Sequence, residues 1–205
     1  MPIIVSDAAK ASQPGKITIE PAKFLSYFDV RGFRKYYYHF LFSRMSKDTL
    51  YSRYPTDPLV MQWIEKIEHF ELGCINPAIV LDQQKGLVAT FSNLDNTGGQ
   101  HPVPVIKITK EKLYLVKTVQ LFKGKHIPTV SLYLGYPDSD AKAWVEIEPL
   151  IPNCFTDDRY VYEATLKKVS PNSWKCLQQG LEQLRGEERE GLYYIDIDDE
   201  LVNGA

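Results

Sequence analysis

Residues 56–94 read TDPLVMQWIEKIEHFELGCINPAIVLDQQKGLVATFSNL, and the hydrophobic period changes halfway along. Up to Gly73 the pattern is helical. Asp57 is placed to cap the free N–H groups, and Pro58 fits the first helical position, where its missing donor costs nothing. Leu59, Val60, Trp63, Ile64, Ile67 and Phe70 then form a wide apolar stripe. This predicts a helix from Pro58 to about Leu72, ended by Gly73. Beyond Gly73 the β-branched and aromatic residues of NPAIVLDQQKGLVATFSNL predict two strands joined at Gln83 to Gly86.

Working downstream, NTGGQHP (Asn96 to Pro102) reads as a loop. The segments VPVIKIT, KLYLVKTVQLF, HIPTVSLYLG and AWVEIEPL follow as short strands separated by turn residues. Lys107 falls on an otherwise apolar strand face and is expected at a rim or snorkelling. The chain then returns to helix. Thr156 is the expected cap of DDRYVYEATLKKV, with Asp157 and Asp158 in its first turn. Ser170 and Pro171 open a second helix carrying Trp174, Leu177, Leu181 and Leu184, closed by Arg185-Gly186. The tail GLYYIDIDDELVNGA offers an edge strand at Leu192 to Ile197 before fraying.

Upstream, residues 1–19 read as a flexible arm in which IIV and ITI can each add a short strand. PAKFLSYF places Phe24, Leu25 and Phe28 on one helical face, Gly32 interrupts, and FRKYYYHFLFSRM reads as a second helix. The fold class is therefore α+β: a small antiparallel β-barrel or bent sheet flanked by amino-terminal and carboxy-terminal helices. The expected organisation is an arm (1–19), a helical subdomain (20–73) and a β-barrel-like unit with two helices and an acidic tail (74–205). The absence of βαβ spacing argues against a doubly wound nucleotide fold.

Composition narrows function mostly by exclusion. With 205 residues, 44% of them hydrophobic, 24% charged and a net charge of -2, the chain suits one substantial core. Residues 1–53 carry nine Lys or Arg against four acids, whereas 182–205 carry eight acids against two Arg. The near-neutral total argues against a dedicated nucleic-acid binder. The longest aromatic and apolar run, YYYHFLF, has seven residues, far from the ~20 of a membrane-spanning helix. The first residues lack the pattern of a secretory signal, and Cys74, Cys154 and Cys176 are too few for a disulfide framework. A cytoplasmic location is expected.

No phosphate loop, GxGxxG, GxSxG or HExxH occurs. His39, His69, His101 and His126 show no metal-ligand spacing with the cysteines, so neither zinc nor a cofactor is expected. Helix capping accounts for Asp157 and Asp158, a solvated turn for Lys123, Lys125 and His126, and core packing for Cys154 and Cys176. Core anchoring likewise accounts for Trp63, Trp144 and Trp174.

The marks Lys125-His126-Ile127-Pro128, Tyr133, Trp144, Pro149, Cys154, Thr156-Asp157-Asp158 and the run from Trp174 to Leu181 together resemble a bacterial family of uncharacterised proteins, over roughly residues 102–181. The resemblance implies a shared small β-domain with helices, and carries no active site.

Two functional classes remain. The first is a non-enzymatic protein-interaction or scaffold domain. Consecutive helical residues point about 100° apart, so Tyr36, Tyr37 and Tyr38 cannot all enter one core. With Arg34, Lys35 and Arg44 they form the expected contact surface, meeting another protein or a second copy in preference to a membrane surface. The alternative is a small hydrolase or other enzyme whose pocket gathers Asp157, Asp158, His126 and Cys154.

Overall fold

The computed structural model of the chain describes residues 3–4, 17–135, 142–186 and 188–205. Most of the expected arm lies outside these residues. Its described parts are strand β1 (Ile3–Ile4) and the buried Ile17 and Ile19, which sit in coil where ITI had suggested a strand.

Four helices follow: α1 (Pro21–Tyr27), α2 (Gly32–Arg44), α3 (Lys47–Arg53) and α4 (Pro58–Leu72). Helix α3, capped by Ser46, has no counterpart in the sequence reading. Gly32 opens α2 at φ +61°, a left-handed conformation glycine adopts without steric cost. In α4 the Asp57 carboxylate accepts from Leu59 N at 2.9 Å and Val60 N at 3.1 Å, as the cap reading requires. Its other oxygen accepts from the Tyr38 hydroxyl at 2.6 Å and so ties α2 to α4. Asp57→Ala removes both links and is expected to cost on the order of 1–2 kcal/mol in chemical denaturation, whereas Tyr38→Phe removes only one of them.

Gly73 ends α4 for a different reason than the one its sequence position suggests. Its backbone is extended (φ -76°, ψ 166°), so no left-handed cap forms. A Cβ built there would lie 2.5 Å from Val130 Cγ1 and 2.7 Å from His69 O. The glycine lets the end of α4 lie directly against the sheet.

The sheet contains β2 (Cys74–Asp82), β3 (Leu87–Asn93), β4 (Pro104–Lys110), β5 (His126–Gly135), β6 (Glu146–Leu150) and β7 (Gly191–Tyr194). Every named pairing is antiparallel, in the order β1-β5-β2-β3-β4-β7, with β6 also on β5. The sheet curls into a half-barrel. The Trp144 N–H donates to Leu94 O at 2.8 Å and the Asn96 N–H to Lys142 O at 2.9 Å, bringing the chain before β6 against the end of β3. Lys107 pairs there with Glu146, the rim position expected of it. Cys74, Leu94, Val105, Tyr133, Trp144 and Ile147 fill this closure.

KLYLVKTVQLF is not a strand. It forms a 3-10 turn at Leu113–Leu115 and then irregular chain. Both edges of β4 are already paired, with β3 and β7, so the segment does not continue the sheet beside the strand it follows. Its Leu113 and Leu121 instead enter the core beneath α1, and Lys23 Nζ donates to Leu115 O at 2.6 Å.

Helices α5 (Arg159–Lys168) and α6 (Pro171–Leu184) follow β6. Asp158, not Thr156, caps α5, accepting from Tyr160 N at 2.8 Å. The Thr156 hydroxyl holds the approach by accepting from Asp158 N and donating to Glu20. Helix α6 keeps its expected limits, with Ser170 as cap and Arg185-Gly186 both at positive φ. It covers the sheet face bearing Leu87, Ala89, Phe91, Ile106 and Ile108. The tail adds β7 and then helix α7 (Asp199–Asn203), capped by Asp198, where fraying had been expected. The acids that suggested a loose end supply that cap and a first turn suited to the helix dipole.

Candidate interaction surface

Helix α2 is apolar on two opposite sides. Tyr38, Leu41 and Phe42 turn inward, where Phe42 stacks on Trp63 with centroids 4.4 Å apart and Phe24 meets both rings edge-on. Phe33, Tyr36, Tyr37 and Phe40 recur at i, i+3, i+4 and i+7, which gathers them within an arc of about 100° on the other side. That side faces solvent: Phe33 is 83% exposed, Tyr36 78%, Phe40 61% and Tyr37 41%. The solvent side of a surface helix is ordinarily polar, so the outward stripe is not explained by folding.

The expected surface residues divide between the two faces. Tyr36, Tyr37, Arg34 and Arg44 are exposed, Lys35 is half-buried, and Tyr38 is 7% exposed. Arg34 lies over the Tyr38 ring at 5.8 Å. Phe33 and Phe40 complete the stripe and were missed, although the i, i+3, i+4, i+7 spacing was present in the sequence. Between Asp29 and Asp48 the chain has no acidic residue.

The alternative catalytic set does not assemble. Asp158 is occupied with its cap, and Asp157 pairs with the buried Lys23 at 2.5 Å. His126 is exposed and stacks on Trp174 at 4.5 Å. Cys154 is fully buried, its Sγ 3.8 Å from Lys112 O, and burial pushes its thiol well above the usual range. A thiol held protonated in this way is a poor nucleophile. The three cysteines are buried and form no disulfide, and among the described residues no group of three or more His, Cys, Asp or Glu is placed to hold a metal.

A cleft of about 710 Å³ opens beside the start of α6, lined among others by Asn76, Ser92, Asp95, Tyr133, Lys168 and Ser173. Its polar groups largely bind one another. Ser92 and Tyr133 share a hydrogen bond of 2.8 Å, and Asp95 holds the 95–99 loop by accepting from Thr97 N at 2.7 Å and from Gly99 N. Burial raises the Tyr133 phenol above its ordinary range.

Comparison with curated proteins finds no match. A crystal structure of a candidate membrane protein from Corynebacterium diphtheriae aligns with a TM-score of 0.48 and 17% identity, over 59% of this chain and 99% of that one. In this chain no helix among the described residues is long and apolar enough to cross a membrane. A family model described as "Protein of unknown function (DUF3239)" matches residues 62–185. That span contains the region of resemblance read from residues 102–181, takes in most of α4 and runs on through α6; α1, α2 and α3 precede it. The chain belongs to the DUF3239 family.

Proposed function

We propose that this protein is a non-enzymatic docking or scaffold domain and that the outward face of α2 is its contact surface. The observation that carries the reading is the stripe Phe33, Tyr36, Tyr37 and Phe40, exposed on a helix whose other side is already packed. The dispersal of Asp157, Asp158, His126 and Cys154 supports the choice against a hydrolase. Tyr and Arg are enriched in protein–protein interfaces, because each combines contact area with hydrogen-bonding capacity.

The test is photo-crosslinking in cells, with p-benzoylphenylalanine placed singly at Phe33, at Phe40 and at Tyr160, an exposed aromatic position on α5. Adducts are expected from positions 33 and 40 and not from 160. Equal reaction at all three positions, or none at 33 and 40, overturns the reading.

A further inference from the structure

We infer that the surface met by α2 is an anionic phospholipid bilayer, on which the helix lies in the plane of the interface. The inference rests on the docking reading and names its partner.

Charge decides first. Arg31, Arg34 and Arg44 are exposed along or beside the stripe, and the next acids along the chain are Asp29 and Asp48. Asp57, the acid that meets α2 from α4, is already engaged by the Tyr38 hydroxyl and by the backbone N–H groups it caps. Asp29 is already paired with Lys112, whose ammonium also lies within 2.6 Å of Tyr27 O. Two copies of α2 brought face to face would oppose cation to cation, so this surface does not complement itself. It complements an acidic surface.

Shape then separates lipid from protein. The stripe is a ridge: Phe33 and Phe40 project on the outer side of the helix, where Tyr37 alone of the four is near half-buried. A protein partner needs a hollow cut to match such a ridge. A bilayer needs none, since its headgroup region yields around inserted side chains. Phenylalanine on the apolar axis, tyrosine beside it and arginine at the margins match the depth preferences of an interfacial helix. Tyrosine places its ring at headgroup level, and arginine reaches phosphate while its stem follows the apolar surface. At 13 residues α2 is about 20 Å long, which is too short to span and suited to lying flat.

The test uses the full chain with vesicles of phosphatidylcholine alone and with roughly 30% phosphatidylglycerol, in a flotation assay at low and high salt. Binding is expected with the anionic vesicles, at least about tenfold weaker with neutral ones, and reduced by salt. The double substitution Phe33→Ala with Phe40→Ala is expected to weaken binding by about tenfold or more. Arg34→Glu with Arg44→Glu should abolish the preference for anionic lipid. Phe122→Ala, at an exposed aromatic elsewhere, should change nothing. Circular dichroism checks that each variant is folded. As a gain-of-signal control, emission from Phe40→Trp is expected to shift to the blue on anionic vesicles. Failure to bind anionic vesicles, or binding that the double phenylalanine variant retains, overturns the inference. If the same protein fails to float yet crosslinks to another protein through position 40, the lipid assignment falls and the docking reading stands.

Discussion

Unfolding free energy is expected to be nearly flat from about pH 4.5 to 6.5, because two buried groups with opposite dependences cancel there. His69 lies fully buried between α4 and β5. Its Nε2 is 2.8 Å from Val130 O, so the neutral ring donates there, while Nδ1 has no partner. Burial is the main cause that lowers its pKa from 6.5 to about 3, with Lys66 adding to the shift. The unfolded chain binds this proton and the folded one does not, so stability is lost as pH falls from 6.5 towards 3, in total on the order of 4–5 kcal/mol. Glu111 behaves oppositely. Burial raises its pKa from 4.5 to about 7, and Glu148 adds to the rise. The Tyr27 hydroxyl, donating at 3.2 Å, and Lys66 pull it down. Here the folded state holds the proton, so stability is lost as pH rises from 4.5 to about 7, on the order of 3 kcal/mol.

Single substitutions separate the two. Glu111→Gln leaves the His69 dependence, so denaturation midpoints should climb steadily from pH 3 to 6.5, and the variant should exceed the parent at pH 8 but not at pH 4. His69→Gln leaves the Glu111 dependence, and stability should fall between pH 4.5 and 7. Parallel pH profiles for parent and Glu111→Gln would show that the carboxyl ionises in the folded protein as it does in the unfolded one.

Phe70→Ala is the second large effect, an expected loss of about 3–5 kcal/mol. Phe70 is fully buried near the end of α4, edge-on to Phe155 at 5.3 Å, and Phe155 in turn packs on Tyr27 at 4.4 Å. Truncation opens a cavity where α1, α4 and the chain after β6 meet. For a chain of this size the melting temperature should fall by roughly 6–20 °C. Phe70→Leu, which keeps most of the volume, should lose less than half as much. Calorimetry comparing the two variants reads this directly, and equal losses would mean that the site relaxes to fill the space.

Local chemistry made much of this fold legible. Asp57-Pro58 and Ser170-Pro171 start α4 and α6 because a capping oxygen and a missing donor act within one turn. The turn at Gln83 to Gly86 and strands β2 and β3 followed from residues adjacent in sequence, and so did the projection of neighbouring tyrosines in different directions. What depends on distant partners was not legible. Leu113 to Val116 has the composition of a strand, but β7, some eighty residues later, holds the edge it would have used. The helix begins two residues after the expected cap, at Asp158, because the approach is pinned from far upstream by Glu20, which accepts from the Thr156 hydroxyl and from Asp157 N. Gly73 ends a helix on local evidence, yet beyond its own helix the atoms that forbid a side chain there belong to Val130 and Ser131 of β5. For α2 the sequence showed a helix whose consecutive tyrosines cannot share one face. Which face meets solvent was settled by Trp63 and Phe24, since a helix can pack one side only against the core that reaches it.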